Sequence, residues 1–283
     1  METILEGTNT LVCIAPDRPT VLIGERINPT GRKRLAAELV AGNIAIVKEE
    51  ALAQVERGAD VIDVNVGAVG VDQATVLPRA VEMVQEVVDV PISIDTADPV
   101  ALEAALKVCQ GKALVNSVNG EEDTLNRVLP LVARYKAAVI GLCMDEEGIP
   151  SEPQKRMVIA TKILKRAQDL GIPQEDVLID CLALTVSADQ KAAISTLETI
   201  RKVRAELGVN MTLGASNVSF GMPDRDVINA VYLAIAIREG VNAPIVNPAH
   251  VRQAILAIDV LLGRDEYAQK YIKYYREKPT GEN

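Results

Sequence analysis

Eight hydrophobic runs punctuate this chain, and each ends in a cluster of acids, amides or small polar residues. In order they are VLIGERIN (21–28), VIDVNVG (61–67), PISIDTAD (91–98), ALVNSVN (113–119), AAVIGLCMD (137–145), VLIDCLAL (177–184), MTLGASNVS (211–219) and APIVNP (243–248). Mostly some 20 to 40 residues of helical periodicity separate them, roughly the length of one βα unit. Repeated strands with a carboxylate or carboxamide past the last buried position describe an α/β chain, a (β/α)8 TIM barrel of parallel strands in a single domain. Strand C-termini in that fold converge on one mouth. Glu25, Asn28, Asp63, Asn65, Asp95, Asn116, Asp145, Asp180, Asn217 and Asn247 are therefore expected around it.

Composition agrees with one barrel. The chain has 283 residues, 48% of them hydrophobic, with one Phe, six Tyr and no Trp. Its core must be Val, Ile, Leu and Ala, the branched aliphatics that fill barrel interiors. A net charge of −9 with no basic stripe argues against a nucleic-acid partner. Cys13, Cys109, Cys143 and Cys181 are too scattered for a disulfide framework or a CxxC metal site. They read as small buried hydrophobes, with pocket lining the alternative for Cys143 and Cys181. His250 is the sole histidine, which leaves neither a catalytic zinc site nor a Ser-His-Asp machine easy to assemble, and no bound metal is expected. It reads as a helix-start residue near the mouth. Neither GxxxxGK[ST] nor a strand-linked GxGxxG occurs. METILEGTNT lacks a signal-peptide pattern, and no run reaches the roughly 18 apolar residues of a membrane span, so a cytoplasmic location off the membrane is expected.

Along the chain, residues 1–20 read as a leader whose LVCIA piece (11–15) either plugs the bottom of the barrel or pairs at an edge. The barrel proper spans 21–263, and a C-terminal helix and tail span 264–283. Helices are expected near 43–57, 73–88, 98–109, 121–135, 153–170, 188–208, 224–239 and 249–263, with Asp98 capping and Pro99 at the first helical position of the third. DEYAQKYIKYYREK (265–278) holds four tyrosines, which suit either packing on the wall or a dimer or partner contact.

A mouth of carboxylates and carboxamides can donate and accept in paired, planar fashion. Such groups suit a neutral heterocycle with alternating N–H, NH2 and C=O, a buried carboxylate facing its amidine-like edge. Taken singly, each Asp or Asn is as well explained as a helix cap or turn residue. Asp95, Asn116, Asp180 and Asn217, all at strand ends, favour binding as a set.

IGERINPTG, DVNVG, ISIDT, LVNSVN, GLCMDEEGIP, LIDCL and LGASNVSFGMPDR occur in this order. Together they resemble the methyltetrahydrofolate:corrinoid methyltransferases, pterin-binding TIM barrels related to dihydropteroate synthase, over nearly the whole of 21–263. The resemblance implies transfer of the N5-methyl group of methyltetrahydrofolate to the cobalt(I) centre of a corrinoid, possible in either direction, by a homodimer. It implies that Asp95, Asn116 and Asp180 bind the pterin, with Asn28, Asp63 and Asn65 in the early motifs. It sets Asn217 beside N5 with Ser216 next to it and Arg225 just beyond. Asn217 and Asp180 would then carry the catalysis. No Asp-x-His-x-x-Gly signature for holding a corrinoid is present, so that cofactor is expected on a partner corrinoid protein. Phe220 and Gly221 stand where some members of the family have Gln-Asn, which puts the loop facing the partner in question. A tetrahydromethanopterin-type methyltransferase subunit, a dihydropteroate synthase and a pterin-binding module without activity are the alternatives. For the synthase, GASNVSFG and NPAHVRQ lack the basic phosphate-binding motifs expected late in the chain.

Overall fold

A computed structural model describes residues 1–277. The chain opens with an antiparallel hairpin, β1 (Thr3–Glu6) and β2 (Leu11–Ile14). Eight further strands alternate with helices: β3 (Ile23–Ile27), α1 (Lys33–Val40), α2 (Ala45–Glu56), β4 (Val61–Val64), α3 (Gln73–Gln85), β5 (Ile92–Asp95), α4 (Pro99–Val108) and β6 (Leu114–Val118). Then follow α5 (Glu122–Tyr135), β7 (Ala138–Leu142), α6 (Pro153–Asp169), β8 (Val177–Asp180), α7 (Ala192–Lys202), β9 (Met211–Gly214), α8 (Arg225–Glu239), β10 (Ala243–Val246), α9 (Pro248–Leu261) and α10 (Gln269–Glu277). Strands β3 to β10 close into a parallel barrel in sequence order, β10 pairing with both β9 and β3. The α/β barrel expected from the recurring runs is the observed fold.

Two apolar layers hold it. Ile23, Val61, Leu114, Ala138, Ile140, Leu178 and Ala243 fill the barrel interior, and Leu5, Val12 and Ile14 of the hairpin belong to the same cluster. The larger layer lies between strands and helices and includes Val64, Leu77, Val81, Leu102, Leu129, Ile163, Ile179, Leu233 and Ile255. Cys143 and Cys181 are fully buried in it as free thiols. The hairpin therefore plugs the N-terminal end of the barrel. Asn210, just ahead of β9, fixes it: its Nδ2 donates to Thr3 Oγ1 and Ile14 O, both at 2.8 Å. Glu6 and Lys112 exchange two backbone hydrogen bonds at 3.1 and 3.0 Å. Gly111 lets them meet, since it has φ 82° and a Cβ there would lie 2.2 Å from Glu6 O.

Most expected helices appear with trimmed ends. Asp98 caps α4, accepting from Val100 N at 2.9 Å, with Pro99 next. Three differences have physical causes. The stretch before 43 forms α1, which the sequence reading left out; Leu35 and Leu39 bury one face, and Gly42 at φ 75° separates it from α2. The helix expected over 188–208 is regular only from Ala192 to Lys202 and ends in a π turn over Val203–Leu207. Toward the C-terminus, Tyr267 at φ 52° breaks the pattern, and α10 starts at Gln269, where Asp265 accepts from Lys270 N and Tyr271 N at 3.0 and 2.9 Å. Residues 278–283 of the expected helix and tail lie outside the described residues. Among the described residues, no helix is long and apolar enough to cross a membrane.

Candidate active site

Strand geometry brings four of the expected residues into one hydrogen-bonded cluster. Asp63 on β4 points inward and is 2% exposed. Its Oδ1 accepts from Ser93 Oγ on β5 at 2.6 Å and from Asn116 Nδ2 on β6 at 3.1 Å. Asp95, the last residue of β5, accepts at Oδ2 from Asn65 Nδ2 at 2.9 Å. Asn65 is itself held by its Oδ1, which accepts from Gly67 N at 2.7 Å. Burial pushes Asp63 well above the ordinary carboxyl range, and the Asp95 charge pushes it further. Burial raises Asp95 as well, but hydrogen bonds from Asn65 and from the Asp63 carboxyl hold it back. Two neighbouring buried carboxyls do not both ionise easily, so burial favours one proton held by the pair. It can thus both donate to a bound heterocycle and accept from it.

Asp180 closes the opposite side at the end of β8. Burial lifts it from 3.8 to about 6, although Leu182 N and Gly214 N donate to it at 2.7 and 3.3 Å. Arg156 supports the turn that follows. It is fully buried; its Nε donates to Pro150 O at 2.6 Å, and its Nη1 donates to Cys181 O at 2.7 Å and Leu182 O at 3.0 Å. This clamp accommodates Leu182 at φ 59°, an uncommon conformation outside glycine.

Asn217 lies on a short 3₁₀ turn, Ala215–Ser219, directly after β9, with its side chain exposed at the rim near Gly214. Arg225 braces the turn, donating from Nη2 to Ser216 O at 2.8 Å and from Nε to Ser219 Oγ at 3.0 Å. Ser216 Oγ donates to Glu25 Oε1 at 3.4 Å. Phe220 is 67% exposed. Its backbone is tied to the neighbouring loop after β8, Phe220 O accepting from Thr185 Oγ1 at 2.7 Å and Ser187 Oγ at 2.8 Å.

The other expected mouth residues are engaged locally. Asn28 accepts from Thr30 N at 2.9 Å, and Asp145 closes a turn by accepting from Glu147 N at 3.0 Å. Asn247 caps α9 by accepting from Ala249 N at 3.2 Å, and His250 follows it in the first turn. Among the described residues, no group of three or more His, Cys, Asp or Glu side chains could hold a metal ion. A cavity of about 670 Å³ lies toward the opposite face, around Gly111 and the Lys112–Asp176 ion pair of 2.6 Å, away from the strand-end acids.

Sequence reasoning passed over Ser93, Arg156 and Gln54. Ser93 was detectable as the lone hydroxyl between two isoleucines of a buried strand. Arg156 was not, because basic residues on helices ordinarily face water. Gln54 explains the glycine of GERIN. Its Oε1 accepts from Arg26 N at 2.8 Å, and a Cβ on Gly24 would come within 2.5 Å of that oxygen.

Comparison with known proteins identifies the family. Residues 24–247 match the family described as pterin binding enzyme. A methylcorrinoid:tetrahydrofolate methyltransferase of Eubacterium limosum is 29% identical over 271 residues, 92% of this chain and 98% of that protein. A Mycobacterium tuberculosis methionine synthase is 30% identical over 255 residues, 86% of this chain but 21% of that longer protein. The solved Yersinia pestis dihydropteroate synthase superposes with TM-score 0.67 at 16% identity, covering 92% of this chain and 99% of that one, a likeness of fold. With a barrel mouth of carboxyls and carboxamides and a family match across nearly all its strands, this chain belongs to the pterin binding enzymes, on the side of that family whose named relatives are methyltransferases.

Proposed function

We propose that this enzyme transfers the methyl group between N5 of methyltetrahydrofolate and the cobalt of a corrinoid carried by a partner protein. One observation carries the proposal: a proton-sharing carboxyl pair and a carboxamide at adjacent strand ends, with Asn217 exposed at the rim above Asp180. Those acceptors and donors suit the fused heterocycle of a pterin. The rim leaves Asn217 accessible from outside, as docking of a second macromolecule requires. The full-length likeness to a methylcorrinoid:tetrahydrofolate methyltransferase supports this reading over a dihydropteroate synthase.

Asp180 accepts from the amidine-like edge of the pterin, and Asp63, Asp95 and Asn116 hold its other polar atoms. A reduced corrinoid supplies a nucleophile strong enough to need no help from the chain. The obstacle is the leaving group, since N5 departs readily only when protonated. Asn217 hydrogen-bonds at N5 and strengthens that bond as charge develops, which lowers the barrier selectively. A carboxamide is no acid, so the proton reaches N5 through neighbouring groups. Arg225 keeps Asn217 in place through Ser216 and Ser219. The corrinoid protein docks over the mouth, and the working particle is a homodimer, which light scattering of the purified chain tests.

The test mixes the protein with methyltetrahydrofolate and chemically reduced cobalamin and follows loss of the cobalt(I) absorbance. The wild type should transfer methyl, and Asn217→Ala should lower the rate about 10²- to 10³-fold, the range for loss of one such contact. Tight methyltetrahydrofolate binding without transfer would point to an obligatory protein-bound acceptor. Absence of both binding and transfer would refute the folate assignment, and tetrahydromethanopterin would be tried next.

A further inference from the structure

Glu25 stands between two parts of the mouth. It is on β3, half-buried, and accepts from Ser216, the residue next to Asn217. β3 pairs with β4 in the barrel, so Glu25 stands on the strand next to the one that carries Asp63. Beyond it lies a polar cavity of about 180 Å³ lined by Glu25, Ser216, Arg225, Asp226, Asn229, Asn247 and His250. Asn229, on α8, is 9% exposed, and its Oδ1 is buried without a hydrogen-bond partner inside the protein. A space of this size and polarity accommodates water. At the outer end, half-exposed His250 pairs its Nδ1 with Asp226 Oδ2 at 2.8 Å.

On the methyl-transfer reading of the site, we infer that Glu25 is a positioning residue that stores the proton needed at N5, taking it from solvent along this cavity and passing it on through Ser216. In the structure Ser216 donates to Glu25; once Glu25 is protonated the hydroxyl turns to accept from it, and the Glu25 carboxyl gives its proton to Ser216 Oγ while the Ser216 hydroxyl proton moves toward the pterin. N5 gains that proton, the methyl carbon bonds to cobalt through the electron pair that cobalt(I) supplies, and the electron pair of the breaking carbon–nitrogen bond stays on N5. The Glu25 carboxylate is then reprotonated from solvent by way of the His250–Asp226 end. Burial holds the Glu25 carboxyl above its ordinary value, which keeps a proton there at milder pH; Arg26 on the same strand, the Ser216 hydrogen bond, Arg225 on α8 and His250 on α9 oppose this. Asp63 faces it as a like charge, and Asp226 is engaged with His250.

The test compares wild type, Glu25→Gln and Glu25→Asp in single-turnover transfer from methyltetrahydrofolate to reduced cobalamin, from mildly acid to mildly alkaline pH. Calorimetric titration with methyltetrahydrofolate in two buffers of different ionisation heat measures affinity and proton uptake. The wild-type rate should fall as pH rises and Glu25 loses its proton. Glu25→Gln should bind methyltetrahydrofolate almost as tightly, transfer about 10²-fold more slowly and lose the pH inflection. Glu25→Asp should keep the inflection. If Glu25→Gln retains the wild-type rate and inflection, or loses affinity in step with rate, the proton-storage role is wrong while the reaction stands. If the wild type neither binds methyltetrahydrofolate nor transfers its methyl group, the reaction assignment falls and this role with it; if it binds without transfer to free cobalamin, a proton uptake that is the same in wild type and Glu25→Gln overturns this role alone.

Discussion

At the scale of single residues, burial makes the carboxyls of the mouth harder to ionise. Asp180 shows what this costs. Its pKa is raised from 3.8 to about 6, so the folded chain holds the proton longer than the unfolded chain does. The resulting stability is fully present below the unfolded value and is lost as pH rises through about 6. Of the order of 2 kcal/mol should disappear between about pH 4.5 and about pH 7.5. Urea unfolding of Asp180→Asn at those two pH values should therefore show the variant gaining on the wild type as pH rises, and an unchanged difference would contradict the titration. The strand-end carboxylates and amides were legible in the sequence because each ends a hydrophobic run. Their partners were less so. The Asp63 pairing with Ser93 and Asn116 depends on strand neighbours 30 and 53 residues away, and Arg156 carries no local mark of its burial.

At the scale of elements, each βα unit places its functional group and then hands over to local chemistry. Asp98 and Asn247 cap the helices that follow their strands, which a single-sequence reading of Asp and Asn anticipates. The hairpin of β1 and β2 does the opposite work at the other end. Leu5 is fully buried in the barrel interior with Ile23, Val61 and Leu178. Leu5→Ala should destabilise the protein by about 2 to 4 kcal/mol, as large-to-small core changes do. Methyltetrahydrofolate affinity, measured by calorimetry, should stay at the wild-type level, because the hairpin lies at the end away from the mouth. A matching loss of affinity would show that the plug controls the site. Helix α1 was missed because its face buries only Leu35 and Leu39, too few positions to establish a period.

At the scale of the whole molecule, the barrel separates stability at its closed end from chemistry at its open end. Combining Leu5→Ala with Asn217→Ala tests this division. The double variant should lose the stability of Leu5→Ala alone, to within about 0.5 kcal/mol, and the activity of Asn217→Ala alone, because distant sites without shared partners add. Coupling beyond that margin, measured by denaturation and by the cobalt(I) assay, would show that the two ends communicate.

Hydrophobic periodicity and the residues that end each run are local properties, so the barrel strands, their order and the face that carries the polar groups were legible along the chain. The sequence also carried the family motifs from GERIN to SNVS. Which acids meet depends on the folded barrel. Barrel closure sets Asp63 against Asp95 and sends Arg156 inward to the loop beyond Asp180. It also joins Glu25 of the first barrel strand to Ser216, 191 residues later. These contacts depend on register and burial around a closed sheet, which no segment specifies alone. The same burial sets their protonation, because the cost of charging a carboxyl depends on what surrounds it in space rather than in sequence.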